Sequence, residues 1–471
     1  RMLGHLYLSL GESEVAANTF DAGLKNVQPR NQDEALALAK DLDGHASALA
    51  TLERGKDSLA RAQQANALRA RFAPGDAQQR FLGQRQLAIA YGSLADCKQG
   101  DAHWKPALAT VGSMTTPVVA DIADAHAAYS QFLYACGEYA RGFEIAGQGL
   151  AAADRLHLPA LSPSRAKLLW MKSAHGYGIG KWTIAQSEPL LRQAIAIQLQ
   201  AVGPGGAQMA EFHSTLGTQL QTSGRMAEAL QAHEHSAELY KAAGATPINQ
   251  AITQYNIGYL YRDWGDYPKS LAAHERSLAI FEAAKIDRDH IEYRRAEKWY
   301  ALAMINAGRA AEGRGRLLRL RERAATLDGK ESVEYFDTVW NLLRAAVMMK
   351  DVEHGEQLLA EARTRALKFV PGTHSIFIEF LRSEAWFHWL RGDKAGSERI
   401  RRDVLARMEA SKIPLDVALG RAELAQDLAG TGNTAEARAL LAQALPVLRE
   451  HFLPQHINRA KFETLARTLG A

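Results

Sequence analysis

A short turn-like pair of residues recurs along this chain at an almost constant spacing. Gly11 and Gly432 lie 421 residues apart and are joined by ten steps, so the mean step is about 42 residues. A fixed period of about 20–50 residues is typical of solenoids, in which one small unit is stacked many times. The recurring pairs are Gly11-Glu12, Glu53-Arg54, Ala95-Asp96, Gly137-Glu138, Gly180-Lys181, Gly224-Arg225, Gly265-Asp266, Gly308-Arg309, Lys350-Asp351, Gly392-Asp393 and Gly432-Asn433.

The stretch 251–282 shows what one copy contains. A helical period runs up to Gly265, where the pattern breaks, and a second helix opens with Tyr267 and Pro268. Proline is tolerated in a first helical turn because its missing N–H would be unpaired there in any case. Gly258 on the first helix is predicted to face Ser270 on the second, which indicates a tight helical hairpin. Such a hairpin buries its apolar face only against copies of itself.

These residues resemble the tetratricopeptide repeat, in its kinesin-light-chain variety with longer helices. The resemblance implies an all-α, right-handed superhelical solenoid of about eleven antiparallel helix pairs with a C-terminal capping helix near Phe462 to Leu469. We expect residues 1–471 to form one such solenoid, with a candidate flexing point at 157–165. The signature positions are occupied by Asn256-Ile257-Gly258, Tyr261, Gly265-Asp266-Tyr267, Ser270-Leu271 and Ser277-Leu278.

Composition and motifs argue against several classes of function. The formal net charge of +4 over 471 residues is small, so general nucleic-acid binding has no support. The apolar runs are too short to insert into a membrane. The run from Gly176 to Trp182 fails as a phosphate loop, because Trp182 stands where a hydroxyl residue is required. We therefore predict a non-catalytic chain that uses no cofactor.

Two groups of side chains invite a metal interpretation that their spacing does not support. His233 and His235 are two residues apart on a helix, so they point to different faces and cannot share one ion. His233 and His274 occupy equivalent places in their repeats, which favours packing roles.

The two cysteines, Cys97 and Cys136, lie near the turns of adjacent repeats. We expect two separate thiols, since a disulfide requires Cα atoms within about 7 Å. The alternative is one disulfide in an oxidising compartment.

An arginine-rich helix follows the turn of repeat eight. Its arginines are spread around the helix among leucines and glutamates, which favours a solvated outer face over an acidic partner or a membrane surface. They are Arg309, Arg314, Arg316, Arg319, Arg321 and Arg323.

The resemblance implies a ligand groove lined by the first helix of each repeat. Asparagine in this groove resembles the family's peptide-gripping residues, and cations beside aromatic rings suit an acidic group. We predict a peptide or protein ligand there, with packing between repeats as the alternative role of the tryptophans. The predicted groove residues are Tyr255, Asn256, Tyr259, Arg262, Arg295, Lys298, Trp299, Trp340, Asn341, Arg344, Arg382 and Trp386.

Three functional hypotheses follow. Long arrays of this type resemble the sensor regions of bacterial transmembrane serine/threonine kinases, which implies a periplasmic interaction module of a signalling protein. Leu3, Gly4 and Tyr7 already occupy signature positions, so we expect the native chain to continue upstream of Arg1. The second hypothesis is a peptide-sensing domain of a cytoplasmic transcription regulator, and the third is an assembly scaffold.

Overall fold

The described part of the chain is entirely helical, which confirms the predicted fold class. The computed structural model describes residues 1–9, 12–52, 54–94, 96–114, 118–244, 246–370, 372, 374–411 and 413–470. Within these ranges the chain forms 23 α-helices and one 3-10 helix, and no strand. The helices pack in sequential pairs as a tetratricopeptide solenoid.

The first twelve helices form the first six hairpins. They are α1 (Met2–Ser9), α2 (Ser13–Leu24), α3 (Gln32–Thr51), α4 (Gly55–Phe72), α5 (Ala77–Ser93), α6 (Cys97–Thr110), α7 (Val119–Ala135), α8 (Tyr139–Arg155), α9 (Pro163–Gly178), α10 (Ile184–Ala201), α11 (Ala207–Thr222) and α12 (Met226–Ala242). The 3-10 helix (Val111–Ser113) follows α6.

The remaining helices form five hairpins and a last single helix. They are α13 (Pro247–Trp264), α14 (Tyr267–Ala283), α15 (Ile291–Asn306), α16 (Ala310–Leu327), α17 (Val333–Met349), α18 (Val352–Ala366), α19 (Ile376–Leu390), α20 (Lys394–Ser411), α21 (Pro414–Thr431), α22 (Thr434–His451) and α23 (Ile457–Leu469). The capping helix α23 begins five residues before the predicted start.

The chain divides into two compact units. The first unit comprises Arg1–Phe212 and Leu239–Thr246, and the second comprises His213–Glu238 and Pro247–Ala471. Helices α11 and α12 contribute to both. The candidate flexing point at 157–165 lies within the first unit and stays a prediction.

The predicted turns mark the ends of first helices. From Gly137 to Gly432, every recurring turn has its first residue in the left-handed region, with φ between 58° and 99°. Glycine adopts this conformation without steric cost, which explains its recurrence. Lys350, at φ 58°, is the one non-glycine residue in this series. The turn residues Gly11, Glu53 and Ala95 lie outside the described residues.

In three hairpins of the described chain, a serine hydroxyl on the second helix bonds to the carbonyl of a small residue on the first. Ser270 Oγ donates to the carbonyl of Gly258 at 2.7 Å, which confirms the predicted contact. The same bond, also between residues twelve apart, joins Ser58 to Ala46 and Ser397 to Ala385, both at 2.8 Å. A neutral hydroxyl–carbonyl bond satisfies both groups where no water reaches them.

Buried histidines fill the space that these small residues leave. The imidazole of His274 lies against Gly258, so a Cβ atom added there would approach the ring within 2.8 Å. His233 packs against Gly217 in the same way, and both histidines are buried. The predicted packing roles of His233 and His274 are therefore confirmed.

The expectation of two free thiols is wrong. Cys97 and Cys136 form a disulfide, with Cα atoms 5.9 Å apart. Cys97 opens α6 just after one turn, and Cys136 ends α7 just before the next. Their separation of 39 residues is close to one repeat, so stacking brings the two turns together.

Replacing Gly258 by leucine should destabilise the hairpin of α13 and α14 by about 1–3 kcal/mol, because the new side chain overlaps His274. Chemical denaturation of the variant measures this loss. Gly75→Leu is the control, since no atom lies within 4 Å of a Cβ added at Gly75. Equal stability of both variants would show that the assigned contact is wrong.

Reducing the disulfide should lower the free energy of unfolding by about 3–4 kcal/mol, as the chain-entropy relation gives for a loop of this length. Denaturation curves with and without reductant measure the change. A Cys97→Ser, Cys136→Ser double variant should not respond to reductant. Two free thiols in the unreduced, denatured protein would contradict the assignment.

Candidate functional site

The predicted groove residues lie on the first helices α13, α15, α17 and α19 of the second unit. Side chains from consecutive first helices contact each other there, and we call this surface the inner face. Tyr255 Oη donates to Glu292 Oε2 at 2.8 Å, and Trp386 Nε1 donates to the carbonyl of Val347 at 3.2 Å. The structure therefore brings the predicted residues onto one surface, whereas their role in binding stays a prediction.

Most cations of the inner face are already paired. Arg295 contacts both Glu292 and Glu334 at 2.6 Å. Lys298, which is buried, forms an ion pair with Asp337. Because these charges are neutralised by protein carboxylates, they contribute to the surface without offering a free charge to a ligand.

The same pairing holds at repeat ten. Arg382 contacts Glu379 at 2.6 Å and also pairs with Glu423 on α21. Burial by itself raises the pKa of Glu423, but Arg382 and Arg401 outweigh it and hold that pKa at about 2. This carboxylate is therefore ionised at neutral pH and committed to its two arginines.

Two further predicted residues take part in packing. Asn341 is 1% exposed, and its side-chain amide donates to the carbonyl of Asp337 at 2.8 Å. Trp340 meets Phe380 edge to face, with ring centroids 5.1 Å apart. Trp340 thus fits the alternative of packing between repeats, and Asn341 is not free to hold a peptide in this conformation.

The remaining predicted residues make fewer polar contacts within the protein, although Arg262 is buried and pairs with Asp263 at 2.7 Å. The rings of Tyr259 and Trp299 stack, with centroids 4.8 Å apart. The Arg262 guanidinium lies 4.2 Å from the centroid of Tyr259. The Arg344 guanidinium neither donates a hydrogen bond to a described residue nor forms an ion pair with one, and Asn256 has only a 3.5 Å contact from its amide to Ser214 Oγ. These five residues form the candidate site.

The C-terminal segment closes the second unit on itself, which sequence reasoning missed. We call residues 452–457 the clasp. The backbone N–H of Leu453 donates to the carbonyl of Trp264, and that of Ile457 donates to Tyr267 Oη, both at 3.0 Å. The second contact joins residues 190 positions apart. Repeats of a simple solenoid contact only their neighbours, so the period does not predict this closure.

The clasp is tightly packed against the turn after α13. A Cβ atom added at Gly265 would approach Cβ of His456 within 2.6 Å, so only glycine fits at this point. The His456 ring stacks on Phe452 with centroids 3.8 Å apart. Trp264 and Gly265, which the clasp contacts, directly follow Arg262 and Asp263 in the chain, so the clasp lies next to the candidate site.

The first unit holds a separate cavity of about 240 Å³ on its first helices. Lys167 Nζ lies 3.2 Å from Asp124 Oδ1 in its wall. Sequence reasoning did not examine this surface, although its residues occupy first helices as those of the inner face do. The lining residues are Arg85, Ile89, Asp124, Ala127, Ala128, Gln131, Lys167, Trp170, Met171 and Gln208.

The arginine-rich helix is held by ion pairs. Five of its six arginines contact carboxylates within the described residues, which supports the solvated outer face. The pairs are Arg309–Glu312, Arg314–Asp351, Arg316–Glu297, Arg321–Glu361 and Arg323–Asp289.

The described ranges contain no group of three or more His, Cys, Asp or Glu side chains placed to hold a metal ion. His233 is buried while His235 is exposed, as their different helical faces require. No helix among the described residues has both the length and the apolar character needed to cross a bilayer.

Comparison with known proteins agrees with the fold. Residues 208–283, which cover α11 to α14, match the tetratricopeptide repeat profile. This match covers 76 of the 471 residues, and the pairing of helices along the described ranges is similar to it. No protein of curated function matches it in sequence.

Solved structures resemble this fold at low sequence identity. A Rap protein complexed with Competence and Sporulation Factor is 11% identical, with a TM-score of 0.51 over 74% of this chain and 97% of its own. The Rap conjugation gene regulator of plasmid pLS20, in complex with the Phr* peptide, is 11% identical with a TM-score of 0.51 over 82% and 97%. BtubC (BKLC) from P. vanneervenii is 16% identical, with a TM-score of 0.41 over 49% and 91%.

Acid should destabilise the protein, because buried histidines resist protonation. Burial lowers the pKa of His233 and His456 to about 4 and that of His274 to about 3. Unfolded histidine has a pKa of about 6.5, so stability is complete above that pH and is lost as the pH falls toward 4. Burial raises the pKa of Glu211 to about 7 and also raises the pKa values of Asp43, Asp416 and Asp427, which opposes this trend.

We therefore expect a lower Tm at pH 5.0 than at pH 7.5, measured at equal ionic strength. His456→Asn should reduce this difference in Tm, because the variant lacks one of the groups that take up a proton only in the unfolded state. A Tm that is constant or higher at pH 5.0 would contradict the neutral state assigned to these histidines.

Proposed function

We propose that this chain is the peptide-binding module of a regulatory protein and holds an extended peptide on its inner face. The observation that carries the proposal is the stack of Tyr259 and Trp299 with the Arg262 guanidinium over both rings, on a face where Arg295, Lys298 and Arg382 pair with carboxylates. Aromatic rings provide most of the affinity in such interfaces. The ligand is a peptide or protein segment, without a nucleic-acid or cofactor role.

The Rap structures support a peptide ligand. One of them is a conjugation gene regulator in complex with the Phr* peptide, and its fold aligns with 82% of this chain. Fold similarity at this identity does not transfer a ligand by itself. Combined with the aromatic and cationic surface, it favours a peptide-sensing regulator over a plain scaffold.

A second candidate is the extracytoplasmic sensor of a transmembrane serine/threonine kinase. The Cys97–Cys136 disulfide favours this candidate, since disulfides persist in oxidising compartments such as the periplasm. The cytoplasm is the alternative location and suits the regulator. The coding sequence upstream of Arg1 discriminates between them, since a kinase domain with a membrane span supports the sensor.

Selection from a random peptide library, followed by fluorescence polarisation with the best peptide, tests the binding proposal. Tyr259→Ala should weaken binding by about 30-fold or more, as expected for truncating a central aromatic residue. Tyr134→Ala, an exposed tyrosine in the first unit, is the matched control and should bind normally.

Lys298→Ala is unsuitable for this test, because it would leave Asp337 without its buried partner and destabilise the fold. Equal affinities of Tyr259→Ala and Tyr134→Ala would place the binding surface away from the inner face. The cavity of the first unit would then be the next surface to examine.

A further inference from the structure

The first unit contains a second cavity, of about 520 Å³, between its third and fourth hairpins. Helices α6 and α8, the second helices of those hairpins, form two of its walls, and α7 contributes a third. Cavities of about 300–1,000 Å³ with a largely apolar lining are typical of small-molecule sites. The apolar lining residues here are Leu108, Val111, Ile122, Ala151, Ala152 and Leu156.

His126 adds a polar atom to this apolar lining. Its side chain lines the cavity and is only 8% exposed. The Nδ1 atom lies 2.8 Å from the carbonyl oxygen of Ile122. Because a carbonyl oxygen only accepts hydrogen bonds, Nδ1 carries the proton and donates it. In the neutral ring, Nε2 therefore holds a lone pair and acts as an acceptor.

This acceptor is open to the cavity and lacks a partner. No described residue forms a hydrogen bond with Nε2 of His126. It is also not one of the unpartnered atoms that the protein encloses completely, as both ring nitrogens of His233 are. An unsatisfied acceptor in a largely buried side chain is costly. A water molecule beside Nε2 would find few other polar partners along apolar walls, so it would satisfy the site poorly.

The local charge restricts which groups can supply the missing donor. Burial lowers the pKa of His126, and the positive charge of Arg155 acts in the same direction, against the hydrogen bond to Ile122. The ring is therefore neutral at pH 7.5. Arg155 lines the cavity and forms no ion pair within the described ranges, so it repels a ligand cation. A carboxylate would place its charge against the lone pair of Nε2, whereas a neutral O–H group satisfies it.

We propose that this cavity binds a small apolar molecule that carries a hydroxyl group, whose O–H donates to Nε2 of His126. The apolar part of the molecule covers the leucine, valine, isoleucine and alanine side chains of the walls. The hydroxyl group replaces any water at Nε2 and reproduces its hydrogen bond. This site lies in the first unit, and it depends neither on the inner face of the second unit nor on the proposed peptide.

The test compares 1-naphthol with naphthalene, which has the same fused rings without the hydroxyl group. Isothermal titration calorimetry at pH 7.5 measures both affinities. The native chain should bind 1-naphthol about 10-fold more tightly, as expected for one buried hydrogen bond. His126→Phe retains an aromatic ring but has no acceptor, so it should bind the two compounds equally and keep its affinity for naphthalene.

A second pair of variants locates the site without altering His126. Gly112 lines the cavity, and no atom lies within 4 Å of a Cβ added there. Gly112→Phe should therefore place a ring in the cavity and weaken the binding of both compounds. Gly75, between α4 and α5, has equally open surroundings and does not line the cavity. Gly75→Phe is thus the matched control and should bind as the native chain does.

Four results would overturn the proposal. The first is no detectable binding of 1-naphthol, and the second is equal affinity of the native chain for 1-naphthol and naphthalene. The third is a preference for 1-naphthol that persists in His126→Phe. The fourth is equal binding by Gly112→Phe and Gly75→Phe, which places the bound compound outside this cavity. If His126→Phe does not fold, which its far-UV circular dichroism shows, the other three comparisons still decide.

Discussion

The close approach of two helices at a residue with little or no side chain is the contact on which the rest of this structure depends. Ser270 bonds the carbonyl of Gly258 across the hairpin, and His274 fills the space beside it. Equivalent bonds recur in other repeats. Because each hairpin is held at a short interhelical distance, the next hairpin can stack in the same register and extend a continuous core.

Stacking in register also determines how charges meet on the inner face. A side chain on one first helix lies beside the side chain about one repeat later, as in Arg295–Glu334 and Lys298–Asp337. Both pairs join residues 39 positions apart. Buried pairs of this kind contribute little net stability, yet removing one partner is costly. They therefore constrain the surface strongly and leave Arg344 as the exception.

The clasp adds a constraint that a linear stack does not have. Leu453 and Ile457 bond to residues at the turn after α13, which ties the end of the second unit to its beginning. Opening the inner face would then require these bonds to break together with the packing of His456 on Gly265.

The sequence by itself determined the repeat, the helical hairpins and the turns, because these depend on contacts within one repeat or between adjacent ones. The residues Gly258, Ser270 and Gly265 were sufficient for that inference. Tertiary structure alone decided three features: the Cys97–Cys136 bond, the closure at His456, and which inner-face cations lack a partner. The closure at His456 depends on small rotations that accumulate from repeat to repeat, and a periodic pattern does not encode their sum. The disulfide and the ion pairs depend on the exact register of adjacent repeats, which the approximate period does not give.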